Sequence, residues 1–298
     1  MRRCVNEMNI AQDRFSLSES IEEAILETKN KLIVVIGASD SGKTTLVEDI
    51  LELSLKRFKV GIVDMDLGQS HLGPPTTIAW GLVEKKFEGW DKVKVEGFYF
   101  VGNTSPIGNL LPTITGARLI CDKALKRADK VIVDTTGLIR EGVGKALKLS
   151  IVDIIRPQLL LALQKKDELE HILIPLKGML TPKIFKIPVP SEINPKNYLI
   201  RRSYREKKFK DYFKDACLRE ISLEKVGTSA SLTQPFINHL VSLRDKQGKD
   251  VALGIIEKLN SKRQRIYIYT PLKKEQIGTI VHITLGKIKI TREGKQLY

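Results

Sequence analysis

One eight-residue stretch, Gly37-Ala-Ser-Asp-Ser-Gly42-Lys43-Thr44, constrains the fold of this chain more than any other. It follows KLIVVI, an unbroken apolar run with the character of a strand buried on both faces. It precedes TTLVEDILELSLKRF, whose apolar residues recur at helical spacing. In that setting the stretch is a phosphate loop. Its glycines let successive backbone N–H groups turn inward around phosphate oxygens, and the helix N-terminus adds partial positive charge. Gly37, Asp40, Ser41 and Gly42 of the loop, with Lys43, Thr44 and Thr45 at the helix start, are therefore expected to bind a nucleoside triphosphate. Lys43 is expected to reach the β- and γ-phosphates, and Thr44 to ligate Mg²⁺.

The strand–helix alternation continues through KVGIVDMD, FYFVG, GARLICDKALKRAD, KVIVDTT, GKALKLSIVDIIR and QLLLALQ. Such alternation predicts the α/β class, a P-loop NTPase fold whose mostly parallel sheet is covered by helices on both faces. Residues 1–30 read as a polar lead segment with one short helix, SESIEEAIL, in which Ser20 and Glu23 have capping-box spacing. The P-loop domain is expected over 31–220, and it includes a basic, aromatic-bearing helical stretch near 195–219. From 221 to 298 the runs HLVSLRD, KDVALGIIEKL, RIYIYT, GTIVHITL and GKIKITR are short, β-branched and separated by turn signals. They predict a small C-terminal β-rich domain.

Lys plus Arg number 50 against 35 Asp plus Glu, a formal charge of +15, which suits either a polyanionic partner or a solvated Lys-rich surface. Cys4, Cys121 and Cys217 lack the paired spacing of a zinc site or disulfide framework, as expected for a reducing compartment. No apolar run approaches the roughly 20 residues of a membrane span, and MRRCVNEMNIAQD lacks the apolar core of a signal peptide. The expectation is a soluble cytoplasmic protein without membrane contact.

A phosphate loop alone does not choose among GTPase, ATPase and kinase. The segment VDMDLGQSHLGPP is more discriminating. It places Asp64 and Asp66 about 20 residues beyond Lys43, at the carboxyl end of the next strand, where such sheets bind ligands. One acid could organise Mg²⁺ while the other accepts the proton of an attacking hydroxyl, or either could cap the following turn. Asp66, beside Gly68 and Gln69, suits the chemical role better.

In order along the chain come the phosphate loop, DMDLGQS, Gly-Pro-Pro-Thr-Thr, FVGNTSPIGN, VDTTGLIREGVGKALKLSIVDIIRP, RRSYREKKFKDYF, and VSLRDKQGKDVALGIIEKL followed by IYIYTPL. The series resembles the polynucleotide 5′-hydroxyl kinases related to the kinase subunit of the mRNA 3′-end and tRNA-splicing machinery and to the ribosomal-RNA-processing kinases. The resemblance spans Leu32 to the C-terminus, with Thr135, Gly137, Gly142 and Gly144 in register with the family's clasp.

The resemblance implies ATP-dependent phosphorylation of the 5′-hydroxyl end of RNA or DNA, with a nucleic acid as partner and ATP and Mg²⁺ as cofactors. On that basis Lys43, Asp66, Arg202 and Arg205 are the catalytic candidates, Asp66 being the base that aligns the terminal hydroxyl. Gln69, Thr136, Gly137 and Arg201 join the phosphate loop around ATP, and Thr44, Asp64 and Asp66 are the metal candidates. The basic stretch resembles the family's lid, whose arginines neutralise charge on the transferring phosphoryl group.

Two departures stand out. Leu138 occupies the clasp tryptophan position, and Lys208 stands at a third basic lid position. The N-terminal β-domain of many relatives has no room in 30 residues, so a compact stand-alone kinase is expected. The alternative is an ATP-binding scaffold with little turnover, its protein partners unspecified. Nothing resembles a guanine-selective Asn-Lys-x-Asp segment, which ranks a GTPase low.

Overall fold

The computed structural model describes residues 15–190, 197–230 and 236–297. Cys4 and the first residues of the expected basic segment, 195–196, lie outside the described residues. In chain order the first half comprises α1 (Glu19–Leu26), β1 (Leu32–Gly37), α2 (Lys43–Leu55), β2 (Val60–Asp64), β3 (Thr77–Val83), β4 (Val95–Phe100), α3 (Leu110–Leu125), β5 (Lys130–Asp134), α4 (Val143–Ile155) and β6 (Leu159–Gln164). There follow α5 (Glu170–Leu173), β7 (Lys183–Pro188), α6 (Tyr198–Phe213), β8 (Cys217–Ser222), β9 (Gly227–Thr228), β10 (His239–Asp245), β11 (Asp250–Asn260), β12 (Arg265–Thr270), β13 (Ile280–Ile290) and β14 (Gln296–Leu297).

The strands β2, β5, β1, β6 and β7 lie side by side and parallel, as βαβ crossovers require. β1 shows why its sequence is apolar without alternation. Leu32, Val34 and Ile36 face α3 and α4, whereas Ile33 and Val35 face α1 and α2. Burial on both faces leaves no polar register. The α1 helix is held in the second of these layers by Ile21, Ala24 and Ile25. Its N-cap is Ser18 rather than Ser20, and Ser18 makes no side-chain cap bond, so the expected capping box is not formed.

The segment TIAWGLV, which the alternation passes over, forms β3. It runs back antiparallel to β2 because the loop from Asp64 to Thr76 reverses the chain. β4 pairs antiparallel to β3 and meets β11 through Asp250 opposite Phe98. The C-terminal strands thereby extend the same sheet, in the order β14-β13-β10-β11-β4-β3-β2-β5-β1-β6-β7, with β12 and β8 branching from β11. β8 begins at Cys217, so this part of the sheet starts before residue 221.

The runs GTIVHITL and GKIKITR, expected as separate strands, are one strand, β13. Gly286 inside it is a close-approach position rather than a turn: a Cβ there would lie 2.7 Å from the Leu240 carbonyl and 2.8 Å from the Phe100 ring.

Candidate active site

The carboxyl edge of the parallel strands opens into a cleft of about 750 Å³, lined by Ser39 to Thr45 of the phosphate loop and α2. The loop makes two left-handed turns, at Asp40 (φ 55°) and Gly42 (φ 88°), the second capping α2. Gly37 admits no side chain, because a Cβ would lie 2.6 Å from Ser41 Oγ and 3.0 Å from the Leu163 carbonyl. The Lys43 ammonium donates to the Ala38 carbonyl at 2.6 Å, back across the loop. Ser41 Oγ is buried in the loop without a hydrogen-bond partner.

Three carboxylates stand at adjacent strand ends. Asp134 ends β5, directly beside Asp64 at the end of β2. Its Oδ2 accepts a hydrogen bond from Thr44 Oγ1 at 2.8 Å, and its Oδ1 is buried and unpartnered. Burial pushes the Asp134 carboxyl up to about 6, against the pull of Lys43.

Asp64 is buried away from the cleft, and both its oxygens are used. Oδ1 accepts from the Asp66 N–H at 2.8 Å. Oδ2 accepts from the His71 and Leu72 N–H groups at 2.7 and 2.9 Å and from Ser70 Oγ at 3.1 Å. The structure thus makes Asp64 the organiser of the loop, and the acid beside Thr44 is Asp134. Reading VDTT only as part of the clasp hid Asp134. The sequence shows only an apolar run, KVIVD, ending in Asp; its place beside the strand that feeds the phosphate loop comes from long-range pairing.

Asp66 lines the cleft. Its Oδ1 accepts from the Gly68 and Gln69 N–H groups at 3.0 and 2.8 Å, so the turn fixes the carboxylate and leaves Oδ2 for the cleft. Gln69 also lines the cleft, and its Nε2 donates to the Arg201 carbonyl at 3.1 Å, tying the Asp66 loop to α6.

The clasp is pressed onto the phosphate loop at Gly137, where a Cβ would lie 2.6 Å from Ser39 Cα. Thr136 and Leu138 line the cleft beside it, Leu138 also packing on the core. On the opposite rim α6 starts at an N-cap, Asn197, whose Oδ1 accepts from the Ile200 N–H at 2.9 Å. Its far half is pinned by buried Phe209 and Phe213 in a cluster with Leu72, Phe98 and Leu253.

Arg201 and Arg205 are one turn apart and both line the cleft. The Arg201 guanidinium pairs with Asp40 of the phosphate loop, and Arg205 Nε donates to Gln296 Oε1 at 3.0 Å. Arg202, expected among the catalytic residues, is not brought to the cleft. Its Nε donates to Glu206 at 2.9 Å, and it reaches the Gln296 carbonyl on β14 at 3.4 Å. Lys208 donates to the His71 carbonyl at 2.8 Å, so the third basic position holds the Asp66 loop instead of facing the phosphate loop.

A phosphate loop at the carboxyl edge of a parallel sheet, with acids at the neighbouring strand ends and a basic helix across the rim, defines a P-loop nucleotide-binding protein. Comparison with known sequences narrows the class. Residues 37–215 match the family described as mRNA cleavage and polyadenylation factor CLP1 P-loop, and the chain belongs to that family.

It is 30% identical to a polyribonucleotide 5′-hydroxyl-kinase of Methanocaldococcus jannaschii, over 97% of this chain and 94% of the relative. A kinase of the same description from Pyrococcus furiosus is also 30% identical, over 98% of this chain and 97% of its own length. Among solved structures, a Clp1p–Pcf11p complex superimposes with a TM-score of 0.70 at 12% identity, covering 91% of this chain and 77% of that one. At that identity the likeness is one of fold.

Proposed function

We propose that this protein is an ATP-dependent polynucleotide 5′-hydroxyl kinase that phosphorylates RNA ends. The observation that carries the reading is one cleft in which a fixed carboxylate, Asp66, stands across from a phosphate loop carrying Lys43 and from two lid cations, Arg201 and Arg205. A nucleotide-hydrolysing protein needs the loop and a metal-side acid. A second carboxylate reserved for an acceptor hydroxyl, under a lid of arginines, suits transfer to an alcohol. The relatives named above, matched over nearly their whole length, support RNA as the substrate.

Phosphoryl transfer is chiefly positioning and electrostatic stabilisation, and each residue has a part in one or the other. Lys43 exchanges the Ala38 carbonyl for phosphate oxygens. Gly37 lets the loop close on Leu163 of β6, and Gly137 lets the clasp close on Ser39. Arg201 exchanges Asp40 for the transferring phosphoryl group, and Arg205, held by Gln296, adds charge from the next turn. Asp66 Oδ2 orients the terminal hydroxyl and takes its proton.

The donor set fits a hard divalent cation. Thr44 and the unpartnered Asp134 Oδ1 lie beside the phosphate loop, and no cluster of three or more His, Cys, Asp or Glu among the described residues offers an all-protein site. That suits Mg²⁺, which is commonly held by one or two protein oxygens together with substrate phosphates. When bound, Mg²⁺ supplies neutralisation of charge on the phosphate oxygens.

The test is incubation of a 5′-hydroxyl RNA oligonucleotide with γ-labelled ATP and Mg²⁺, alongside a DNA oligonucleotide of the same sequence. Label on the RNA is the expected result. Absence of transfer from protein that demonstrably binds ATP would favour a nucleotide-binding scaffold.

A further inference from the structure

The buried face of α4 consists of Gly144, Leu147, Ile151, Val152, Ile155 and one lysine, Lys148, whose accessibility is 1%. A residue in that stripe packs against the core, and an apolar side chain would serve the fold. The Lys148 ammonium instead ends under the strand end of β5. It donates to Thr135 Oγ1 at 2.8 Å and to the Thr136 carbonyl, both neutral acceptors. Among the described residues it makes no ion pair with a carboxylate. Burial, and Lys43 nearby, pull its amine down to about 7, although the Asp134 and Asp66 carboxylates pull the other way. A buried amine whose hydrogen bonds all go to neutral acceptors is costly to fold in either protonation state, so its presence needs a reason outside packing.

Its contacts supply one. Thr135 and Thr136 are the two residues between Asp134, which receives Thr44, and Gly137, which is pressed onto Ser39 of the phosphate loop. Thr135 Oγ1 passes its own hydrogen to the Val35 carbonyl of β1, two residues before Gly37, at 2.7 Å. Thr136 Oγ1 accepts from the Leu138 N–H at 3.0 Å and so shapes the clasp turn. One ammonium therefore joins α4 to the stem of the phosphate loop, the metal-side acid and the clasp.

We infer that Lys148 is a positioning residue for phosphoryl transfer, holding the Thr135–Thr136 peptide so that Asp134 and the clasp keep their places against the phosphate loop. The inference rests on the kinase reading above. It acts through neighbours and needs no contact with either substrate.

Lys148→Met keeps the length of the side chain and removes its charge and donors, and Lys148→Arg keeps both. Melting temperature, kcat and the KM for ATP should be measured for each beside the wild type. Lys148→Met is expected to melt no lower than wild type, because a desolvated amine is replaced by an apolar side chain of similar length, while kcat falls at least tenfold and the KM for ATP moves less than threefold. Lys148→Arg is expected to recover part of kcat.

Either of two results for Lys148→Met overturns the inference: kcat within threefold of wild type, or a melting point several degrees lower, which would make the residue structural. Failure of Lys148→Arg to exceed Lys148→Met in kcat also counts against it. Wild-type protein that transfers no phosphate would instead strike the kinase reading itself.

Discussion

At the scale of single residues, the three acids at the strand ends divide their work by what their oxygens touch. Asp66 keeps one oxygen for the cleft, so Asp66→Asn, which preserves shape but cannot take a proton, should lower kcat by about 10² to 10⁴. Lys43→Ala should abolish detectable transfer in the same labelled-ATP assay. Asp134 gives a pH-dependent signature. Its carboxyl lies near 6 in the fold instead of the usual value near 4, so the native state keeps a proton that the unfolded chain has released. Stability from this group is therefore full below about pH 4, falls as pH rises to about 6, and is level above. Asp134→Asn should flatten that part of the slope and raise the stability of the nucleotide-free protein at pH 7 by up to ~3 kcal/mol, while transfer is lost. Urea melts at pH 4 and pH 7 without nucleotide would show it, and an unchanged difference between the two pH values would refute the assignment. Asp66 and Lys43 were legible in the sequence because their motifs are local. Asp134 was not, since its meaning depends on β5 lying parallel to β1 and beside it, a pairing of residues about a hundred positions apart.

At the scale of elements, α6 shows how helical phase decides which of two adjacent arginines is used. Arg201, Arg205, Phe209 and Phe213 recur every four residues and so share a face. The two phenylalanines are buried, and the arginines before them are carried over the cleft. Arg202 lies about 100° around the helix and pairs with Glu206. The sequence held this information: stepping back by fours from the apolar anchors selects Arg205 and Arg201, whereas the resemblance to the lid placed Arg202 beside Arg205 among the catalytic candidates. Arg201→Ala should reduce kcat by about 10² to 10³, the usual loss for one donor aimed at developing charge. Arg202→Ala should remain within threefold. Equal losses from the two would mean that α6 turns on binding substrate, placing Arg202 in the cleft. The clasp makes the complementary point about sterics. Because Gly137 has no space for a Cβ against Ser39, Gly137→Ala must part the clasp from the phosphate loop and should raise the KM for ATP.

At the scale of the whole molecule, the α/β layers were legible from alternating apolar runs, and the C-terminal strands from their turn-separated β-branched runs. How the two join was not, because it depends on contacts between residues far apart. The junction is Asp250, placed opposite Phe98 on β4. Its carboxylate accepts from Ser242 Oγ at 2.6 Å, from Arg244 Nε at 2.7 Å and from the Phe100 N–H at 3.0 Å, so one acid stitches β10, β11 and β4 together. A second contact lies where the Lys287 N–H on β13 donates to the Gly102 carbonyl at 2.8 Å. The lid depends on this junction, since Phe209 and Phe213 pack on Phe98, Leu253 and Ile255, and Arg205 is held by Gln296 of β14. The C-terminal strands thus hold α6 in place over the cleft. Asp250→Ala leaves the Arg244 guanidinium and the Phe100 N–H without their acceptor and should cost about 3–5 kcal/mol, the usual loss on breaking a buried pair from one side. Both tryptophans, Trp80 and Trp90, lie between β2 and β4, so their fluorescence follows the P-loop half, while far-UV circular dichroism follows the whole sheet. In the wild type the two signals should give one coincident urea transition, and in Asp250→Ala both midpoints should fall together, with transfer activity lost before either signal changes. Two separate transitions in the wild type would mean that the halves fold independently and that the lid is not anchored through this junction.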